Sequence, residues 1–191
     1  MRIVSGKLKG RALKAPDGRN TRPTSDRARE AIFNLLAHAE WAPDLDGTRV
    51  IDLYAGSGAL GFEALSRGAS HCLFVETESR ARGVIRENVD QFGLFGVTRI
   101  HRRSAVDLGV KPVGVGAPYD IAFMDPPYGY DLVDPTLAQL VDGGWLKSDA
   151  FIVAEVSKDD PAPTFDSFEV LDDRLYGAAR VYMARRIPTP Q

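Results

Sequence analysis

Short apolar runs rich in β-branched residues alternate along this chain with stretches that favour helix. The apolar runs cover 49–53, 71–75, 98–102, 119–124 and 150–156, and the helix-forming stretches cover 59–67, 79–91 and 131–141. Alternation of this kind leaves few folds open, because strands joined through helical crossovers lie parallel and the helices cover the sheet on both faces. After residue 160 the pattern changes to two strand-like runs, 165–171 and 179–186, separated by Arg174-Leu175-Tyr176-Gly177. These read as an antiparallel hairpin closing one edge of the sheet. The expectation is therefore an α/β, Rossmann-like fold with a mostly parallel seven-stranded sheet. Ligands in such sheets bind outside the carboxyl ends of the strands, near the switch in strand order, so strand-end residues carry the functional argument.

The first strand-to-helix turn is Val50-Ile51-Asp52-Leu53-Tyr54-Ala55-Gly56-Ser57-Gly58-Ala59-Leu60-Gly61. Its glycines let a backbone approach a ligand closely and supply dihedrals that other residues avoid. Positions 56 to 61 spell G-x-G-x-x-G, the dinucleotide fingerprint, although several nucleoside-cofactor folds use glycine here. Asp52 lies in the strand four residues before the first glycine, within reach of the cofactor side of the turn. A second acid, Glu76, ends the run Cys72-Leu73-Phe74-Val75, 24 residues after Asp52. That spacing is close to the roughly 20 residues expected for a strand, helix and strand ending in a ribose acid, so Glu76 is a candidate ligand for a ribose diol. Both acids also have a plain reading as solvated strand ends; two at fitted positions favour the site.

A second motif, Asp125-Pro126-Pro127-Tyr128, follows the run Tyr119-Asp120-Ile121-Ala122-Phe123-Met124. A carboxylate, two ring-locked residues and an aromatic at a strand's end form a small rigid cup. The carboxylate accepts one N–H of a planar amine, the Pro126 carbonyl accepts another, and the Tyr128 ring offers a face for a flat heterocycle. Those are the groups needed to hold the exocyclic amine of a nucleobase for methylation. A rigid turn after a strand uses the same residue types; the glycine turn upstream is what favours the chemical reading.

Charge is unevenly distributed. The net charge is −2 over 191 residues, yet residues 1–30 hold nine Lys or Arg against three acids, a balance of +6, leaving −8 for the rest. A basic segment on an acidic body suits a phosphate backbone. Arg2, Lys7, Lys9, Arg11 and Lys14 interleave with Gly6, Gly10 and short apolar runs, so residues 1–24 are expected to form a small basic β-hairpin that grips RNA, with residues 25–191 as the catalytic domain. A helix from Ser25 to about His38 follows, capped by Ser25 or Thr24, with Ala28, Ile32, Leu35 and Leu36 as its core stripe. Arg22, Arg27 and Arg29 flank its start and face RNA or cofactor in this reading. With 44% hydrophobic residues, the chain can bury one substantial core. It contains no apolar stretch of the ~20 residues that a membrane span needs and no hydrophobic leader, and its one cysteine, Cys72, suits a reducing cytoplasm. His38, His71 and His101 are scattered, so no metal is expected.

Taken together, these segments resemble the bacterial small-subunit ribosomal RNA guanine-N2 methyltransferases of the class I, S-adenosylmethionine-dependent superfamily. The resemblance rests on Arg2-Ile3-Val4-Ser5-Gly6 with Lys9-Gly10-Arg11, on Thr21-Arg22-Pro23-Thr24-Ser25-Asp26-Arg27-Ala28-Arg29-Glu30, and on Asp52 to Gly61. It extends over Ala64-Leu65-Ser66-Arg67-Gly68-Ala69, Val75-Glu76, Asp125 to Tyr128 and Tyr176-Gly177. It implies a class I methyltransferase fold and transfer of a methyl group from S-adenosylmethionine to a guanine N2 of 16S ribosomal RNA, guanine 966 in the customary bacterial numbering. The substrate would be the small subunit or an assembly intermediate, and the enzyme a cytoplasmic monomer. Cofactor contacts would come from Asp52, Tyr54, Ala55, Gly56, Ser57 and Gly58, from Glu76 and Thr77, and from Asp125. The turn through Arg22, Pro23 and Thr24 would close over the methionine end. Ser104 and Ala105 stand where such enzymes often carry Asp or Asn beside the adenine, a departure from the pattern. Asp125, Pro126, Pro127 and Tyr128 would be the catalytic set.

Three other readings stay open on sequence. A DNA amino-methylase, or one acting on another RNA, shares the four-residue cup, but normally adds a target-recognition region for which this chain has little room. A nicotinamide-dependent dehydrogenase explains the glycine turn and leaves Asp125 to Tyr128 unexplained. A non-catalytic RNA-binding module explains the basic segment and needs none of the acids.

Overall fold

The computed structural model describes residues 1–16 and 23–188, with residues 23–26 described in backbone only. Its helices are α1 (Pro23–His38), α2 (Ala59–Ser66), α3 (Ser79–Phe92) and α4 (Val133–Asp142). Its strands are β1 (Arg49–Leu53), β2 (His71–Val75), β3 (Thr98–His101), β4 (Tyr119–Met124), β5 (Leu146–Ser157), β6 (Phe168–Tyr176) and β7 (Ala179–Arg186). They form one seven-stranded sheet in the order β3-β2-β1-β4-β5-β7-β6. The first five strands are mutually parallel, and β7 pairs antiparallel with both β5 and β6. This is the mostly parallel seven-stranded sheet with an antiparallel edge that the alternation of runs implied, and the Rossmann-like class I methyltransferase arrangement that the resemblance implied.

Side chains of successive strand residues go to opposite faces, and the two cores follow that period. On one face Val50, Phe74, Ile121 and Phe123 pack with Phe33, Phe62 and Ile85 from α1, α2 and α3. On the other, Ile51, Leu53, Leu73, Ala122 and Met124 pack with Leu137 and Leu140 of α4 and with Trp145. The direction of the order reverses between β1 and β4, which puts the switch point between their carboxyl ends.

Several boundaries differ from expectation, and those of α1, β5 and β6 have a physical cause. α1 begins at Pro23 rather than Ser25, consistent with the fixed φ that makes proline suit the first helical turn. β5 starts at Leu146, not 150, because Leu146 pairs with Tyr119 and an irregularity between Tyr119 and Ile121 takes up the extra residues. β6 starts at Phe168, not 165: Phe165 and Ser167 have φ of +54° and +69°, which no strand sustains. It then continues through Arg174, Leu175 and Tyr176, so the turn is confined to Gly177 and Ala178. Gly177, at φ +63°, is the residue that permits so tight a reversal.

His71 opens β2 half-buried, its ring stacked on Tyr119 at 6.2 Å between centroids, and its Nε2 has no hydrogen-bond partner. Burial, with Arg49 and Arg99 nearby, lowers its pKa from 6.5 to about 4. The folded protein thus keeps the ring neutral where the unfolded chain protonates it. Stability from this residue is full above pH 6.5 and is lost as pH falls towards about 4. A His71→Phe variant should show a flatter loss of stability across that interval than the parent chain, read from urea unfolding midpoints at stepped pH.

Candidate functional site

Leu53 lies opposite Val75 on β2 and Met124 on β4, so Tyr54, Glu76 and Asp125 leave the sheet side by side at the switch point. Asp52, one residue earlier on β1, is 2% exposed, and its Oδ2 accepts the Gly61 N–H at 2.9 Å. The N-cap of α2 is Gly58, which has no side chain to offer. Asp52 supplies from the neighbouring strand the acceptor that a Ser or Asp cap would otherwise provide. Burial pushes the Asp52 carboxyl well above the usual carboxylate range; the Gly61 bond opposes this, and the charges of Asp125 and Glu76 add to it. The three acids therefore share one electrostatic environment.

Glu76 is fixed by two backbone donors, Gly56 N–H on Oε2 and Glu78 N–H on Oε1, each at 2.8 Å. Between these acids runs the glycine turn. Gly56 and Gly58 have φ of +56° and +79°, and the Gly58 N–H closes on the Ala55 carbonyl at 2.6 Å. Tyr54 adopts φ +59°, a costly conformation for an aromatic residue, with its hydroxyl 2.6 Å from Thr136 Oγ1 on α4. At Gly61 a Cβ would come 2.4 Å from the Phe74 ring and 2.5 Å from Cys72 Sγ, so α2 can lie this close to β2 only with glycine there.

Beyond β2, Thr77 is exposed, and its carbonyl, like that of Glu76, accepts from the buried guanidinium of Arg82. After β3, Ser104 is half-buried while the Ala105 side chain joins the core around Leu53 and Leu73.

At the end of β4, Asp125 is exposed, Pro126 buried, Pro127 exposed and Tyr128 half-buried. The Tyr128 hydroxyl donates to Glu155 Oε1 at 2.6 Å. Glu155 follows Ala154, which lies opposite Met124, so β5 contributes a fourth acid to the same edge. Next to the motif opens a cavity of about 250 Å3, bounded by Pro126, Pro127 and Tyr128 on one side and the segment 160–164 on the other.

The N-terminal segment folds back on itself, with Arg2 bridged antiparallel to Ala12 and the Ile3 and Leu13 amides donating to the Arg11 and Met1 carbonyls. It is fastened to the helices by buried polar side chains. Glu63 of α2, fully buried, accepts Val4 N–H at 2.8 Å, Ser5 N–H at 3.0 Å and Arg67 Nε at 2.9 Å. Ser66 Oγ accepts from Leu8 N–H and donates to the Ser5 carbonyl. Asn88 of α3 takes the Lys14 N–H and donates to both the Lys14 and Ser57 carbonyls. Arg2, Lys7, Lys9, Arg11, Lys14 and Arg27 are exposed, whereas Arg29 is 4% exposed and its Nη2 donates to the Arg2 carbonyl. Arg22 and the side chain of Thr24 lie outside the described residues.

Glu63, Asn88, Arg82 and Glu155 escaped the sequence reading. A signal existed for two of them: Glu63 is the one charge in Ala59–Ser66, and Glu155 interrupts the apolar run Phe151-Ile152-Val153-Ala154. Asn88 and Arg82 sit among other polar helical residues and give none. Among the described residues no group of three or more His, Cys, Asp or Glu is placed to hold a metal ion, and no helix is long and apolar enough to cross a membrane.

Strand order, the antiparallel β7 and the strand-end acids beside a glycine turn define a protein of the class I methyltransferase fold. The chain belongs to the family described as conserved hypothetical protein 95, which matches residues 1–185. YlbH of Bacillus subtilis is 37% identical over 187 residues, 97% of this chain and 99% of that protein. Ribosomal RNA small subunit methyltransferase D of Escherichia coli K12 is 35% identical over 164 residues, 86% of this chain and 78% of that protein. The solved structure of yhhF from Escherichia coli superposes with a TM-score of 0.82 at 32% identity, covering 99% of each chain.

Replacing Glu63 by Ala would leave the Val4 and Ser5 amides without their acceptor and Arg67 without its carboxylate. Removing one partner from a buried charged pair costs about 3 kcal/mol or more. Glu63→Ala should lower stability by that order, and amide exchange at Val4 and Ser5 should accelerate before exchange in the sheet does.

Proposed function

We propose that this chain transfers a methyl group from S-adenosylmethionine to the exocyclic N2 of a guanine in 16S ribosomal RNA. The substrate is the small subunit or an assembly intermediate in the cytoplasm, the target is guanine 966, and the enzyme works as a monomer. The reading is carried by one observation: Asp52, Glu76 and Asp125 meet at the switch point beside a left-handed glycine turn, with Pro126, Pro127 and Tyr128 directly after Asp125. The name of the Escherichia coli relative, ribosomal RNA small subunit methyltransferase D, supports the RNA class.

The chain's own residues suit a nucleoside cofactor. Glu76 is held rigid by the Gly56 and Glu78 amides, as a carboxylate that accepts the two hydroxyls of a ribose needs to be. Gly56, Ser57 and Gly58 keep the turn free of bulk, and Thr77, Ser104 and Ala105 stand at the β2 and β3 ends where an adenine would lie. Thr24 closes the methionine side in this reading. When bound, S-adenosylmethionine supplies an already electrophilic methyl group. The protein's task is then to orient the acceptor amine, whose lone pair is delocalised into the guanine ring. Asp125 and the Pro126 carbonyl each accept one N–H of N2, which favours a pyramidal nitrogen and localises the lone pair. Asp125 is also the group to which the amine's surplus proton passes. Alignment of this kind is worth roughly 7–11 kcal/mol of barrier, so no covalent enzyme nucleophile is required. Tyr128, its hydroxyl anchored on Glu155, presents its ring to the base, which must first leave its stack.

Phosphate contacts come from the exposed Arg2, Lys7, Lys9, Arg11, Lys14 and Arg27, with Arg22 beside them in sequence. The buried Arg29 serves by holding the arm at the Arg2 carbonyl. Each neutralised phosphate steepens the salt dependence of binding.

An Asp125→Ala variant should lose methyl transfer to small subunits lacking the modification by about 1,000-fold or more, the scale set by losing both orientation and proton transfer. Its affinity for S-adenosylmethionine by calorimetry should stay within a few-fold. Digestion of the labelled RNA should yield N2-methylguanosine from the parent chain. Full turnover by the variant, or label recovered in DNA instead, would overturn the reading.

A further inference from the structure

The cup formed by Asp125 and the Pro126 carbonyl does not by itself select a base. Guanine N2, adenine N6 and cytosine N4 are all planar exocyclic amines with two N–H groups, and two acceptors suit each of them equally. What differs is the adjacent ring nitrogen. Guanine N1 carries a hydrogen, whereas adenine N1 and cytosine N3 present a bare lone pair. A carboxylate accepts from the first and repels the other two, so the discriminating group should be an acid beside the cup with an oxygen to spare.

The cavity next to the motif has such a group. Its volume, about 250 Å3, is just below the roughly 300–1,000 Å3 of sites for drug-sized ligands and suits a single base. Tyr128, Val156, Pro161 and Pro163 give it apolar walls, and three acids line it: Asp131, Asp134 and Asp160. Two of these are engaged in holding the walls. Asp134 accepts Thr164 N–H at 2.8 Å and Phe165 N–H at 3.1 Å, one on each oxygen. Asp160 accepts Gly129 N–H at 2.9 Å, which ties the segment 160–164 to the turn after Tyr128. These bonds fix the cavity before any ligand enters. Asp131 accepts no hydrogen bond and joins no ion pair among the described residues, and it is exposed while lining the cavity. It is also held at φ +48°, a conformation that Asp tolerates better than most residues.

Resting on the guanine-N2 reading above, we propose that this cavity receives the extruded guanine and that Asp131 accepts its N1–H, which makes Asp131 the residue that selects guanine. Asp134 and Asp160 position the walls and touch no substrate atom.

The test uses small subunits reconstituted with RNA that carries either guanine or 2-aminopurine at the modified position. 2-Aminopurine keeps the N2 amine and lacks the N1 hydrogen. The parent chain should methylate the guanine subunits and strongly disfavour the 2-aminopurine ones. Asp131→Asn keeps the shape and offers an amide donor to the bare N1, and Asp131→Gly removes the side chain while accepting the same φ. In D131N the preference for guanine over 2-aminopurine, as a ratio of kcat/KM values, should fall roughly 10- to 100-fold, the scale of one hydrogen bond to a charged group. In D131G the guanine rate should drop with no gain on 2-aminopurine. Both variants should bind S-adenosylmethionine as the parent does. An unchanged preference in D131N with normal transfer to guanine would overturn the role of Asp131 alone. Failure of the parent chain to methylate the guanine subunits would overturn the reading on which it rests.

Discussion

One backbone-to-side-chain bond, Gly61 N–H to Asp52 Oδ2, ties the central strand to the helix that carries the glycine turn. It joins the first strand to the first turn of the helix that follows it, across a loop whose glycines could otherwise adopt many conformations. The carboxylate occupies a buried position against its own preference, as its raised pKa records, and the helix end offers the N–H and the partial positive charge that offset the burial. Gly58 is free to be a residue without a side chain because Asp52 does the capping. The turn can thus be both bare and ordered, a combination that a loop meant to lie against a ligand requires.

The N-terminal segment depends on that same helix. Glu63, two residues beyond Gly61, receives the Val4 and Ser5 amides, and Gly6 lies so close that a Cβ there would meet the Ser66 carbonyl oxygen at 1.9 Å. On the other side Asn88 bonds both to Lys14 and to Ser57 within the glycine turn. Buried polar groups that are fully bonded specify one arrangement and penalise others. The basic segment is therefore seated on the glycine turn and the helices beside it, and a displacement of one is felt by the other.

Much of this was legible in the sequence because it is local. The strands 49–53, 71–75 and 119–124 appear as short apolar runs bounded by turn residues, and the acids that matter stand at their ends. Spacing alone linked Asp52 to Glu76. What was not legible depends on pairings between distant segments. The start of β5 is set by Leu146 meeting Tyr119, and the start of β6 by positive φ at Phe165 and Ser167, which no propensity reveals. Glu155 became meaningful only when β5 proved to be the neighbour of β4, bringing its carboxylate to the Tyr128 hydroxyl. Arg29 shows the converse: its company of arginines suggested an exposed contact, but α1 turns it inward to the Arg2 carbonyl.

The two outer strands of the sheet are guarded in different ways. β3 has only four residues, and β6 carries Glu169, Asp173 and Arg174 exposed, with an irregularity in register between Val170 and Asp172 and ion pairs at Asp172–Arg174 and Asp173–Arg180. Open strand edges are templates for another chain, and brevity, charge and bulges are the features that spoil them. Exposed Val170 and Leu175 lie on the same strand and would otherwise invite stacking of one sheet edge on another. Replacing Asp172 and Asp173 by neutral residues would release Arg174 and Arg180 from their ion pairs and leave the edge to be guarded by Glu169, those two arginines and the irregularity in register.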